Sequence, residues 1–195
     1  MRMDRRQQRT AADVVNGTDE RELVRILHEL GDERFARRIA AAIVAARPVR
    51  TTTDLAAIVR DAIPAPARRT GGHPAKRTFQ AIRIAVNAEL DVLPVAIDAA
   101  VDALQPGGRC AALAYHSGED RIVKARFRHH ATGGWRGPSH LPPPSDVHPT
   151  VRLLKAGAWT PSRAESTANP RAASARLRAV EKLPAPTTDT TEAPA

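Results

Sequence analysis

GGHPAKRTFQAIRIAVNAEL (residues 71–90), followed by PGGRCAALAYHSGEDRIVK (residues 106–124), decides how this chain is read. The first stretch is a basic helical pattern with Phe79, Ile82, Val86 and Leu90 on one face. Pro94 then either kinks the pattern or starts a second helix carrying Ile97, Val101 and Leu104. Pro106-Gly107-Gly108 is a turn, and Arg109 to Tyr115 is short, apolar and continuous, which predicts a central parallel strand buried on both faces. His116 to Asp120 is a polar loop, and Ile122 to Phe127 resumes as helix. Open α/β sheets place ligands beyond the carboxyl ends of their strands, so this junction is the first place to look for chemistry.

Before that stretch the chain reads as short helices. Thr10 caps a turn through Val15, and Thr18 or Asp19 caps a helix with Leu23, Ile26, Leu27 and Leu30 at helical spacing. Gly31 is expected to end it in the left-handed conformation. A third helix carries Phe35, Ile39 and Ile43, and a fourth starts at Thr53 or Asp54 and stops at Pro64. Residues 64–72 (PAPARRTGG) read as a connection. Beyond the quoted stretch, residues 131–150 hold three glycines and five prolines and predict an extended loop. Residues 151–155 and 173–181 predict an antiparallel strand pair, anchored by Trp159, and residues 184–195 lack the apolar content to order.

The 195 residues carry 42% hydrophobic but only 3% aromatic side chains, so alanine fills much of the core. A net charge of +9 and a pI near 11.0 suit an anionic partner, although an arginine-rich composition alone leaves that open. The single Cys110 has no internal disulfide partner, which fits a reducing cytoplasm. No apolar run approaches the ~20 residues that span a bilayer, and the charged amino terminus is not a secretory signal.

Three clusters carry candidate chemistry. His116, Ser117, Glu119 and Asp120 gather acceptors at the predicted strand's carboxyl end; they either line a pocket or cap and charge-complement the next helix. Lys76, Arg77 and Arg83 on one helix, and Arg121, Lys124, Arg126 and Arg128 on another, either contact phosphates or form solvated faces. His129 and His130 lack carboxylates or cysteines at ligand spacing, so no metal site is expected. Trp135 either stacks on a base or plugs a packing gap.

The motifs MRMDRR, TAADVVN, RFARRIA, ARPVRTTTDLA, IPAPARRTGGHPAKRTFQAIRIAVNAEL, LQPGGRCAALAYHSGEDRIVK and NPRAASARLRAVEKL closely resemble the bacterial ribosomal RNA small-subunit methyltransferase H family, nearly from Met1 to Leu183. The resemblance implies S-adenosylmethionine-dependent methylation of a cytidine N4 in 16S rRNA of the small ribosomal subunit, in the cytoplasm. It implies an α/β fold: an incomplete class I, Rossmann-like methyltransferase domain preceded by an inserted helical subdomain. Residues 1–70 would be that insertion, a substrate-recognition subdomain that helps to recognise the RNA, 71–130 the returning helix–strand–helix, 131–150 a Pro/Gly-rich loop, 151–183 a closing strand pair and 184–195 a disordered tail. His116, Ser117 and Asp120 would form a wall of the base pocket, with Lys76, Arg77, Arg83, Arg121 and Lys124 on the RNA. The family's cofactor loop and acidic cofactor residues would precede Met1, so no cofactor-binding residue is expected here. Gly71-Gly72 follows no predicted strand and matches the separate GGHPAKR motif. The resemblance thus implies a chain that is truncated, misassigned at its start or one half of a split gene, and weakly active or inactive alone. The missing elements would come from a partner chain, or self-association would cover the exposed sheet. The family usually has leucine where Gly118 stands. Two alternatives remain: a non-enzymatic RNA- or ribosome-binding remnant, and a helix-turn-helix DNA-binding protein built on the turn at Gly31.

Overall fold

The computed structural model describes residues 1–68, 72–137 and 141–185. It divides into two compact units, Met1–Glu89 and Leu90–Ala195. The expectations for Gly71 and for residues 186–195 lie outside the described residues.

The first unit is helical: α1 (Ala11–Gly17), α2 (Glu20–Gly31), α3 (Ala36–Ala45), α4 (Thr52–Ala62), the single turn α5 (Ala65–Arg68) and α6 (Lys76–Asn87). Reciprocal caps start α1 (Thr10 with Asp13) and α4 (Thr51 with Asp54), while Asp19 caps α2. The cap of α4 therefore sits ahead of the expected Thr53 or Asp54. Leu23, Leu27, Ile39, Ile43, Val59 and Ile82 are fully buried together. Helix α6 buries Ala81, Ile82 and Val86 in this core, and the first compact unit runs to Glu89.

Gly31 has a different job from the one its position suggests. It is the last helical residue, and Asp32, with φ 49°, takes the left-handed conformation instead. A Cβ at residue 31 would lie 2.7 Å from the Arg77 carbonyl oxygen and 2.9 Å from the Ala81 Cβ, so glycine is there to let α6 approach. A second left-handed residue, Ala88 with φ 51°, separates α6 from α7 (Glu89–Asp102). The helix break thus precedes Pro94, which lies inside α7.

In the second unit α7 is followed by β1 (Arg109–Ala114), α8 (Ser117–Ala131), β2 (Val151–Leu153), α9 (Arg163–Ala168), a 3-10 turn (Pro170–Ser174) and β3 (Arg176–Lys182). The sheet order is β1–β3–β2, antiparallel throughout. Phe127 and Val123 of α8 pack with Val101, Val151 and Val180, and with the inward-facing Cys110 and Ala112 of β1. Burial pushes the Cys110 thiol above its ordinary range. Trp159 exchanges backbone hydrogen bonds with Leu177 (2.8 and 3.0 Å), which places it on the strand pair.

The expectation for β1 is corrected in two respects: it pairs antiparallel, with β3, and it is buried on one face. Cys110 sits opposite Val180 and Ala112 opposite Arg178 on the α8 side, whereas Leu113 and Tyr115 remain 53% and 54% exposed. The physical reason is alanine, which tolerates either environment and makes a half-buried strand look uniformly apolar. Among the described residues no strand pairs with the other edge of β1. Glu181 of β3 spans the sheet, accepting from Arg109 of β1 (2.9 Å) and Arg152 of β2 (2.7 Å).

Replacing Gly31 by alanine would add helix propensity of about 1 kcal/mol, but the clash is with backbone and costs more. Chemical unfolding of Gly31→Ala should therefore show a net loss of about 2 kcal/mol. A variant as stable as the parent would show that α6 does not press on this residue.

Candidate functional site

The β1–α8 junction is built by a cap that the residue types hide. His116, not Ser117 or Asp120, is the N-cap of α8. Its Nδ1 accepts from the Glu119 amide at 3.4 Å, and Glu119 Oε2 accepts from the amides of Tyr115 (2.9 Å) and His116 (3.4 Å). His116 Nε2 lies 3.2 Å from Glu119 Oε1 but without hydrogen-bond alignment, and no described group partners it. Ser117 opens the helix as its first residue. A Cβ at Gly118 would come within 3.2 Å of the His116 ring and 3.3 Å of Leu90. Glycine in place of the leucine expected there leaves the ring its room.

Asp120 faces the sheet. It accepts from Arg178 Nε at 2.7 Å and Nη2 at 3.0 Å, a bidentate pair whose side chains are 22% and 14% exposed. The Arg178 guanidinium, helped by Arg176 and Lys124, holds the Asp120 carboxyl below its usual range. A second such tie joins α7 to α8: Asp98 accepts from Arg126 (2.8 Å) and contacts His130 Nε2 (2.9 Å). Burial alone would raise the Asp98 carboxyl, but the two hydrogen-bonded partners outweigh it and lower it.

Of the predicted basic residues, Lys76, Arg77 and Arg83 sit on α6 in the first unit, and Arg121 and Lys124 on α8 in the second. Arg77 donates to the Asp32 carbonyl (2.9 Å), and Arg83 is clamped on Glu89 (2.9 Å to each carboxylate oxygen). Lys76, Arg121 and Lys124 are exposed. Lys124 and Arg128 join Lys155 and Arg178 around a cavity of about 360 Å³ floored by Phe127 and Leu153. With Arg178 paired to Asp120, Lys124, Arg128 and Lys155 are the cations that can hold an anion there. Lys155, whose Nζ sits 5.5 Å from the centre of the Trp159 ring, and Arg178 escaped sequence reading. The available signal was the inward register of Arg178 in an alternating strand, which demands a carboxylate partner. Trp135 packs against Gly137, where a Cβ would run into its ring.

A nucleoside cofactor needs free donors and space where a strand runs into a helix. Among the described residues β1–α8 is the direct junction of this kind, since β2 reaches α9 only through residues 154–162. At β1–α8 the side chains of His116 and Glu119 engage the Tyr115, His116 and Glu119 amides. Gly72, with φ 88°, follows no strand. The described residues at these two places therefore do not fit a seat for S-adenosylmethionine. Nor do the described residues gather three or more metal-ligating side chains, and none of their helices is long and apolar enough to cross a membrane.

The sequence profile of the MraW methylase family matches residues 1–183. The chain belongs to that family. It is 58% identical over 198 residues to the Ribosomal RNA small subunit methyltransferase H of Frankia casuarinae, covering 100% of this chain and 61% of that relative. Identity is 57% over 187 residues with the same-named protein of Acidothermus cellulolyticus (94% of this chain, 56% of the relative). It is 55% over 190 residues with that of Thermobifida fusca (95% and 57%). The chain thus spans about three-fifths of the length of these curated relatives.

Removing the charge at Asp120 leaves Arg178 half-buried and unpaired, so Asp120→Asn should cost about 2 kcal/mol at neutral pH. Asp120 is depressed when folded, so its stabilisation is full above the unfolded value of about 3.9 and fades as pH falls through the lower folded value. Unfolding midpoints of parent and variant should stay apart near pH 7 and converge below about pH 4. A gap that persists unchanged in acid would show that the pair does not act through charge.

Proposed function

We propose that this chain forms the acceptor side of an enzyme that transfers a methyl group from S-adenosylmethionine to the N4 amine of a cytidine in 16S rRNA, acting on the small ribosomal subunit in the cytoplasm. The observation that carries this reading is the 58% identity, across the whole chain, to a protein named Ribosomal RNA small subunit methyltransferase H. On this reading the chain is part of a class I methyltransferase domain with residues 1–70 as an inserted helical subdomain, 71–130 as the returning helix–strand–helix and 151–183 as the closing strands.

The amine of cytosine is a weak nucleophile because its lone pair is delocalised into the ring. An enzyme must hold the N–H hydrogens with acceptors and fix the base against the donor, and much of the rate then comes from position. The base has to leave its stack to be reached. In this chain the His116 ring and the Ser117 hydroxyl form the pocket wall. Asp120 acts as a positioning residue, because its bidentate hold on Arg178 keeps the start of α8 on β3. Arg121 and Lys124 on the same helix, and Lys76, Arg77 and Arg83 on α6, position RNA through phosphate. The donor's seat is supplied by polypeptide outside the described residues that pairs with the open edge of β1 and covers Leu113 and Tyr115.

A second reading, an RNA- or ribosome-binding protein without catalysis, is favoured by one observation: both acidic side chains at the junction are engaged within the chain, Glu119 in the cap and Asp120 on Arg178.

Co-expression separates the two. The chain is produced together with the portion of the Frankia casuarinae relative that the match leaves uncovered, in cells lacking their own enzyme of this family. Mass spectrometry of digested 16S rRNA should then show N4-methylated cytidine, and Ser117→Ala should reduce it by about tenfold or more. No methylated cytidine despite a soluble complex, or a methyl group on another atom, would contradict the enzyme reading.

A further inference from the structure

In the first unit, α2, α3 and the turn between them enclose a groove of about 770 Å³, lined by Arg21, Arg25, Arg34, Phe35, Arg37 and Arg38 among others. None of these arginines is among the residues expected on the RNA, although Arg34, Arg37 and Arg38 fall within the RFARRIA motif. Two carboxylates also line it, and both are engaged. Asp19 accepts the Glu22 amide as helix cap (2.8 Å), and Glu22 binds Arg25 through two hydrogen bonds (2.7 and 2.6 Å). Arg21, Arg37 and Arg38 are exposed and form no ion pair with a described residue. The Arg34 guanidinium lies 5.6 Å from the centre of the half-buried Phe35 ring.

The arginines are placed where they cost stability. Arg37 and Arg38 occupy the first turn of α3, which has no acidic residue and no side-chain cap. Cations there oppose the helix dipole by about 0.3–1 kcal/mol each. A sequence that breaks a local rule without a compensating contact marks a surface shaped by something other than folding.

The groove is also rigid. Glu33, 3% exposed, accepts the Phe35 amide through its carboxylate (3.0 Å), while its own amide donates to the Leu27 carbonyl (3.1 Å). Arg77 braces the same turn by donating to Asp32, and Gly31 lets α6 close behind it. The backbone that carries Phe35 is therefore held in place before any ligand arrives, which lowers the cost of ordering on binding.

We propose that this groove binds a single-stranded segment of RNA, a base resting on the Phe35–Arg34 platform and the flanking phosphates meeting Arg21, Arg37 and Arg38. An aromatic ring with an adjacent guanidinium stacks any unpaired base, and surrounding arginines follow the backbone. Unpaired RNA offers such splayed bases, whereas a duplex keeps them stacked inside. The choice of RNA rests on the rRNA reading above; the groove's preference for a flexible polyanion with exposed bases rests on its geometry.

Fluorescence anisotropy of the full 195-residue chain with labelled oligouridylate tests this directly. The parent should bind with an affinity that falls steeply with salt. Arg37→Glu/Arg38→Glu should weaken binding about tenfold or more, and Arg21→Gln on the facing helix should weaken it in the same direction. Phe35→Leu, which keeps an apolar side chain, should lose about tenfold, with the loss persisting at high salt. Arg60→Glu, on α4 and outside the groove, should change little, and circular dichroism confirms that each variant is folded. No binding by the parent, equal losses at Arg60, unchanged affinity in the folded groove variants, or tighter binding to duplex DNA of equal length would each overturn the proposal. Methyl transfer plays no part in this readout, so RNA binding without methylation would remove the enzyme reading and leave the groove standing. Methylation with groove variants that bind normally would do the reverse.

Discussion

The bidentate contact between Asp120 and Arg178 fixes the start of α8 against β3, and the arrangement of the second unit follows from it. Arg178 points toward the helix layer because its register partner is the inward-facing Ala112. A charged side chain in that layer is tolerable only if it is paired and hydrogen-bonded, and Asp120 supplies both conditions. Once α8 is held there, Val123 and Phe127 drop onto Val180 and Val151, and His116 becomes the residue that caps the helix. The polar cluster after β1 is thus first a joint. Any chemistry it performs is done by groups whose orientation that joint sets.

Much of the fold could be read from the chain. The stripe of Leu23, Ile26 and Leu27 marks a buried helix face, Pro106-Gly107-Gly108 marks the turn into β1, and Trp159 marks the strand pair. What could not be read has physical causes. Alanine does not report which face of a strand is covered, so β1 looked central. Gly31 looked like a helix terminator because glycine serves both as a left-handed residue and as a place of close approach; only the three-dimensional path of α6 distinguishes them. The cap of α8 was hidden because a histidine ring nitrogen does the work usually given to serine or aspartate.

The candidate site was partly legible. The cluster His116 to Asp120 does lie at the carboxyl end of a strand and the start of a helix. Which of its members are held by internal partners could not be known without the positions of Arg178 and of the Tyr115 amide. The same is true of the basic residues: Arg83 and Arg126 are bound to carboxylates, whereas Lys155 joins Lys124 and Arg128 from a distant part of the chain. The arginines between α2 and α3 were invisible as a group, because helical spacing shows which residues share one face but not which faces of two helices meet.

On the proposed function, this chain contributes the acceptor side of a methyl-transfer site, and its described residues hold no seat for the methyl donor. Calorimetric titration of the purified chain with S-adenosylmethionine tests it most directly. The expected result is no saturable heat at dissociation constants tighter than about 100 μM. A saturable one-to-one isotherm in the low micromolar range would show that the β1–α8 junction, or another part of the chain, opens to receive the cofactor, and would contradict the claim.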